Sequence, residues 1–284
     1  MVSTQIQVKH TTGYTYPLGA NASFNEARMT PRNSPEQFAR FAQVDVSPPA
    51  WTYNYVDYWG TSVTAFEVHE RHNRLKVVAT SVVETNRQPV RPMRLDWAQL
   101  DDPAFTDRHV EMLTIGEQVD PGPELAGITA ELRARAVRPG DLIEPLVDAI
   151  AEKVAYVQGA TGVHTRATEV WEAGAGVCQD RVHLMVGALR GIGIPARYVS
   201  GYVMPSAEPV PGVSTVGESH SWVQYYDGGW VGIDPTNRVT PGDFHVEVGV
   251  GRDYFDVPPL RGIFRGPGTS EMYVEVEMTL LPSA

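Results

Sequence analysis

The chain has 284 residues, 42% of them hydrophobic and 20% charged, with a formal net charge of −11 at pH 7. That is enough apolar material for packed cores, and at ~150 residues per domain the length fits two domains. The acidity argues against nucleic acid or a membrane surface as the main partner. The single cysteine excludes an internal disulfide. No apolar run approaches the ~18–20 residues needed to cross a bilayer. The N-terminal stretch alternates from its first residues and lacks the continuous apolar segment of a signal peptide, so a soluble, cytoplasmic protein is expected.

The N-terminal part reads as β-structure. Gln5–His10 alternates with Ile6 and Val8 on one face, Gln43–Ser47 does the same with Val44 and Val46, and Thr61–His69 and Leu75–Glu84 continue the pattern. Turn chemistry at Pro31–Pro35, Pro48-Pro49 and Trp59-Gly60 separates these runs. Short strands with frequent turns suggest an antiparallel sandwich. The stretch Arg87–Pro92 interrupts the pattern with two prolines, which supply no N–H to a sheet ladder. It divides the chain into a β-domain, 1–92, and a second domain, 93–284.

Helical periodicity follows. Trp97–Pro121 carries no clear period, and Leu125, Ile128 and Leu132 suggest a weak helix. Asp141, with Glu144 three residues on, reads as a capping box. Ile143, Leu146, Val147, Ile150 and Val154 then share one helical face. A further helix carries Val182, Met185, Val186 and Leu189, ended by Gly191, Gly193 and Pro195. Strands are expected over Ala196–Val203, Ser219–Tyr226, Trp230–Asp234 and Met272–Leu280.

The only cysteine, Cys178, follows the glycine-rich turn Gly174-Ala175-Gly176 and opens the helix through Val182 and Leu189. A lone cysteine is most often a small buried hydrophobe. At a helix N-terminus, however, unpaired N–H groups and the helix dipole favour a thiolate, and the same N–H groups can bind a developing oxyanion. A free thiol of pKa ~8.5 is only about 3% ionised at pH 7, so full ionisation gains at most ~30-fold, about 2 kcal/mol. Orientation and oxyanion binding must supply the rest.

Asp227-Gly228-Gly229 signals a hairpin between the runs Ser219–Tyr226 and Trp230–Asp234. A turn centred on 227 makes His220 and Asp234 directly opposite, with Val223, Val231 and Ile233 on the other, apolar face. Alone, His220 reads as a structural histidine and Asp234 as a turn initiator before Pro235. Together with Cys178 they meet the requirements of thiol nucleophilic catalysis: a sulfur nucleophile, an imidazole base, and a carboxylate that fixes the imidazole.

At these residues the chain resembles the transglutaminase-like branch of the papain-like cysteine-enzyme superfamily. The resemblance rests on GVCQD at 176–180, LRGIGIPARYVSGYV at 189–203, SHSWVQYY at 219–226 and GWVGIDPTN at 229–237. The tail GRDYFDVPPLRGIFRG and the N-terminal YTYP, MTPR, YVDYWG and LKVVATSVVE resemble the bacterial members, so the similarity covers nearly the whole chain. It implies an α+β protein: an N-terminal antiparallel β-sandwich-like domain, then a papain-like core whose cysteine helix packs on an antiparallel sheet. It also implies Cys178 as nucleophile, His220 as general base and Asp234 as orienting acid, with no cofactor or metal and a protein or peptide substrate. Amide hydrolysis and transglutaminase-type transfer both fit. The chain departs from the family's common pattern with Arg181-Val182 after CQD and with Ser221 between His220 and Trp222. Arg181 adds a cation where the helix dipole disfavours one, and it could meet a carboxylate on a substrate or on Asp180.

The Cys178 N–H is one expected oxyanion donor, and Tyr156, Gln179 and Trp171 are candidates for the second. Gln179, Tyr156, Trp222 and Asp253 are the expected substrate-binding residues, Asp256 could line the cleft and Tyr198 could pack beneath it. His164 and His183 read as structural or exposed. The N-terminal domain, with Tyr53, Tyr55, Tyr58 and Trp59, could restrict the cleft, position substrate or mediate homo-oligomerisation. Two alternatives stand beside the enzyme: a catalytically silent interaction module of the same fold, and a zinc site made by Cys178, His220 and Asp234. The latter has no second cysteine to complete a closed ligand set.

Overall fold

A computed structural model describes residues 3–87 and 95–282. Most of the expected connection, residues 88–94, lies outside the described residues. In chain order the strands and helices are β1 (Thr4–Ala20), β2 (Ala22–Ala27), β3 (Gln37–Ser47), β4 (Thr52–Val56), β5 (Ser62–Val68), β6 (His72–Thr85), α1 (Trp97–Leu100), α2 (Pro103–Arg108), α3 (Val110–Leu113), α4 (Gly122–Arg135), α5 (Ile143–Lys153), β7 (Ala155–Tyr156), α6 (Ala167–Ala173), β8 (Ala175–Gly176), α7 (Cys178–Gly191), β9 (Ala196–Val203), β10 (Ser214–Gly217), β11 (Ser219–Tyr226), β12 (Trp230–Ile233), β13 (His245–Gly251), β14 (Leu260–Arg265) and β15 (Glu271–Leu280). The α+β architecture expected from the sequence is observed, with antiparallel sheets in the N-terminal region and Cys178 opening a helix that lies on a sheet. No helix among the described residues is long and apolar enough to cross a membrane.

Two antiparallel sheets form the N-terminal region, in the strand orders β10-β15-β1-β6-β3 and β14-β2-β5-β4. The end of the chain completes both. β15 lies along β1, with Ile6 opposite Leu280, and β14 lies along β2, with Leu260 opposite Ala27. The alternation of Met272–Leu280 has its reason here: Val276 and Met278 join Ile6, Val8 and Val83 in one core. Tyr16, Met29, Phe66, Leu75 and Val77 fill a second core.

A third antiparallel sheet runs β12-β11-β9-β13 and carries the helices on one face, and β7 and β8 form a separate two-stranded pair. α7 packs against β9 and β11, and Val182, Met185, Val186 and Leu189 are fully buried, as their spacing predicts. On α5, Ile143, Leu146, Val147 and Ile150 are buried, with Val154 just beyond the helix. Asp141 does not cap that helix. It lies in a 3₁₀ turn, Pro139–Leu142, and accepts the Arg138 N–H at 2.8 Å, while α5 begins after it without a side-chain cap. Trp97–Pro121 lacked a period because it forms three helices of only four to six residues.

Candidate active site

The turn before α7 is built by two glycines. Gly174 ends α6 at φ 66°, a left-handed C-cap that a Cβ would strain. At Gly176 an added Cβ would lie 2.7 Å from Asp180 Oδ2. That oxygen folds back to accept the Val177 N–H at 2.7 Å and the Thr161 hydroxyl at 2.6 Å, so the acidic residue of the first turn closes the helix start. Cys178 follows at the first helical position, half-buried, where backbone N–H groups have no intrahelical acceptor.

His220 and Asp234 meet, though not by the expected register. The ladder pairs Val223 with Ile233 and Tyr226 with Trp230, which centres the turn on Gly228 rather than 227. A three-residue loop does this: Gly228 takes φ 73° and the Asp227 N–H donates to Gly229 O at 2.8 Å. Moving the centre by one residue moves each cross-strand partner by two, so the faces are preserved. His220 and Asp234 become diagonal neighbours on one side, while Val223, Tyr225 and Ile233 enter the helix-facing core on the other. Asp234 leaves the β11 ladder and bridges to Val239.

His220 Nε2 lies 2.7 Å from Asp234 Oδ2, with the imidazole nearly buried and the carboxylate fully so. The Cys178 side chain also acts on this ring. With Nε2 engaged by the carboxylate, Nδ1 is the ring nitrogen that remains. Burial works against the imidazolium, yet Asp234 and Cys178 raise His220 to about 10. Asp234 responds in the opposite sense. Burial alone would raise it, but His220 and His245 hold it well below the usual carboxylate range.

The carboxylate is held from all sides. Its Oδ1 accepts the backbone N–H groups of Thr236 at 2.9 Å and Asn237 at 3.1 Å. Its Oδ2 accepts Asn237 Nδ2 at 2.7 Å and His245 Nε2 at 3.3 Å. His245 Nδ1 accepts the Gly242 N–H, so its proton sits on Nε2 and points at Asp234. Burial lowers His245, which keeps it a neutral donor. Trp222 lies beneath, edge-on to His245 at 5.3 Å and beside His220 at 6.3 Å. Asn237 and His245 were not read from the sequence.

His220 is thus bonded to Asp234 and lies within electrostatic reach of Cys178. The other expected residues divide. Tyr156 reaches the site because β7 and β8 form a short parallel pair that sets it beside Gly176, within electrostatic range of Cys178. It lines a cleft of about 560 Å³ with Arg181, His220, Thr236 and Asn237. Gln179 reaches only the Val163 carbonyl, at 3.4 Å. Trp222, 1% exposed and packed on Val199 and Val250, supports the site from below and has no surface for a substrate. Asp253 caps the short turn Tyr254–Asp256, and Asp256 is held by Arg252, so neither faces this cleft. Tyr198 packs beneath, buried against His183 and near the sulfur. Trp171 is a core residue. His164 is exposed, whereas His183 is fully buried, accepts the Tyr254 N–H and is held down to about 3 by burial. Among the described residues no group of three or more His, Cys, Asp or Glu is arranged to hold a metal ion.

Of the tyrosine-rich set, Tyr58 and Trp59 cross to the helical region, Tyr58 donating to Glu111 at 2.9 Å and Trp59 lying under Arg252. Tyr55 stays within the N-terminal sheets, bonded to Glu26, and Tyr53 is exposed.

Known proteins share this arrangement of sequence and fold. The Transglutaminase-like superfamily matches residues 126–235, and the Bacterial transglutaminase-like N-terminal region matches residues 6–84. An uncharacterized protein of Mycobacterium leprae is 40% identical over 98% of this chain and 99% of its own. A protein-glutamine gamma-glutamyltransferase of Pseudomonas aeruginosa is 28% identical over 55% of this chain and 25% of its own. The crystal structure of a candidate cysteine protease from Cytophaga hutchinsonii shares the fold, with a TM-score of 0.76 at 20% identity over 100% of this chain and 93% of that one. This chain belongs to the bacterial transglutaminase-like proteins, with their N-terminal β-region followed by a transglutaminase-like core.

Proposed function

We propose that the protein is a thiol-dependent acyl-transfer enzyme acting on amides of a protein or peptide. The observation that carries this reading is the buried His220–Asp234 pair within reach of Cys178 at a helix start, with His220 raised to about 10 by Asp234 and Cys178. In a Cys–His–Asp row the sulfur attacks the amide carbonyl carbon, and the Cys178 N–H receives the developing oxyanion. His220 passes its Nδ1 proton to the amide nitrogen, the C–N bond breaks, the amine departs and a thioester remains. Neutral His220 then takes a proton from water or from a second amine as that nucleophile attacks the thioester carbon. The sulfur leaves and the acid or the new amide is released. Asp234 stays ionised throughout and keeps the ring oriented.

The test is incubation with a glutamine peptide and a labelled amine, using Cys178→Ala as control. Label in the peptide indicates transfer, and ammonia released with glutamate indicates hydrolysis. Wild type that matches Cys178→Ala on a broad panel of amides, and whose thiol reacts with iodoacetamide no faster than a free thiol, would refute the reading.

A further inference from the structure

The cleft beside His220 contains a cation without a contacting anion. Arg181 is 7% exposed, yet it has no ion-pair partner within 4.0 Å among the described residues, and Asp234 acts on it only at longer range. Its Nη2 donates to Val154 O at 2.7 Å, its Nη1 reaches Thr236 O only at 3.5 Å, and its Nε is buried with no partner. The Thr236 hydroxyl is also buried without a partner. Both residues line the cleft, together with Tyr156, His220 and Asn237. The nearby carboxylates are committed elsewhere. Asp180 is turned back onto Val177 and Thr161, and Asp234 is occupied by His220, His245 and Asn237. Glu218, on the same cleft, is bonded to Gln158.

A buried guanidinium with an idle N–H, beside an idle hydroxyl, is incomplete as a structural unit. It is well suited to a carboxylate, which accepts from a guanidinium and a hydroxyl at once. The surroundings tie this pair to the reacting groups. Asn237, next to Thr236, reaches within 3.4 Å of His220 Nε2, and Tyr156, whose ring is 5.9 Å from the Arg181 guanidinium, is acted on by both Arg181 and Cys178. We infer that Arg181 and the Thr236 hydroxyl select substrates whose reacting amide stands next to a free carboxylate, either the α-carboxylate of a chain end or an acidic side chain. The inference rests on Cys178 being a reactive thiol and adds the class of acyl donor it serves. The net charge of −11 makes the point sharper, because an acidic protein repels anions unless a local cation admits them.

The single cysteine allows a direct test, since thiol alkylation, which forms a thioether, can occur only at Cys178. Iodoacetate carries a carboxylate beside its reacting carbon and iodoacetamide carries an amide there; in both the sulfur displaces iodide. The quantity read is the ratio of the two rate constants within each protein, which cancels differences in thiol reactivity between variants. Arg181→Gln should lower the iodoacetate-to-iodoacetamide ratio about tenfold or more, the loss expected for one charge-assisted hydrogen-bonded contact, and Arg181→Lys should retain part of it. The wild type gives an independent arm that needs no variant. N-acetylglycine should protect Cys178 from iodoacetamide better than N-acetylglycinamide if the α-carboxylate is bound. N-acetylaspartate α-amide should protect better than the corresponding asparagine compound if a side-chain carboxylate is bound. An unchanged ratio in Arg181→Gln overturns the inference, as does equal protection by acids and amides. Alkylation by both reagents at the rate of a free thiol overturns it together with the enzyme reading, whereas fast alkylation with an unchanged ratio removes only the role of Arg181.

Discussion

Asp234→Asn removes one negative charge from the centre of the site while keeping its shape. His220 titrates at about 10, against an ordinary 6.5, and Asp234 and Cys178 are the partners that raise it. A carboxylate in contact moves a neighbouring group by ~1–3 units, so the imidazolium of the variant should lose its proton ~1–3 units lower than in the wild type. At about 1.4 kcal/mol per unit this destabilises the imidazolium by ~1–4 kcal/mol, and it shifts the balance between thiolate–imidazolium and thiol–imidazole toward the neutral pair by about 10- to 1000-fold. The linkage has a sign that stability measurements can read. A histidine raised in the folded state stabilises fully below its unfolded pKa of 6.5 and loses that contribution as pH rises through about 10. Asp234, depressed in the folded state, stabilises above its ordinary 3.8 and loses that contribution under acid. The wild-type pair therefore stabilises between these limits, and the variant should lose the alkaline edge of the window first. The assay is NMR titration of the His220 ring from about pH 6 to about pH 11 in both proteins, assigned with His220→Gln, beside urea unfolding across the same range. Equal midpoints, within about half a unit, would show that Asp234 does not govern the imidazole, and the chain of reasoning from geometry to acid–base chemistry would fail.

Acid should destabilise the protein well before its carboxylates titrate. Burial lowers His10 to about 4, His183 to about 3 and His245 below its ordinary value, so below 6.5 the unfolded chain takes up protons that the folded chain refuses. His10 and His183 alone make stability fall by about 2.7 kcal/mol per unit of pH as the medium is acidified from about 6.5 toward about 4, measured by urea unfolding, and His183→Phe should remove about 1.4 kcal/mol per unit from that slope. His245→Phe keeps an aromatic ring against Trp222 but removes one of the donors to Asp234, and should cost about 1–3 kcal/mol in stability together with a fall in the alkylation rate of Cys178. Gln37→Ala should cost about 1–3 kcal/mol and raise hydrogen exchange along β13, because the Gln37 side chain accepts the Glu247 N–H and donates to the Glu247 carbonyl. Exchange along β13 that matches wild type would separate the N-terminal region from the site.

What the sequence revealed follows from the range of each interaction. The glycine turn, the nucleophile helix and the two faces of the hairpin are set within about 15 residues and carry periods of 3.6 or 2, so they are legible. The hairpin register is not, because it depends on Gly228 adopting a left-handed conformation that makes the loop three residues long. Asn237 left a local signal that could have been followed: it stands three residues after Asp234, within reach of an Asx-type turn, and its N–H does bond to Oδ1. His245 left none. Every residue from His245 to Gly251 is buried, so β13 shows no alternation of polar and apolar faces, and its pairing with β9 joins segments distant in sequence. Arg181 stood out as a cation against the helix dipole, yet its partners, Val154 O and Thr236 O, come from separate elements.

The N-terminal region is tied to the site through β13 in particular. β13 is an edge of the sheet that holds His220, and it carries a bulge between Glu247 and Gly249 where its ladder with β9 slips. An edge with a bulge has backbone groups to spare. Gln37 takes them up with its amide, Arg32 pairs with the Glu247 carboxylate at 3.1 Å, and Arg87 donates to the His245 carbonyl at 3.1 Å. Thr61 packs where a Cβ on Gly249 would stand. These four contacts, all from the first 87 residues, fix the strand that delivers His245 to Asp234. Without them the edge strand would be free to slip, and Asp234 would lose a donor that orients it toward His220. The β-region therefore acts on the site by holding β13, which bears His245, in register, a mechanical contribution made without a residue of its own in the cleft.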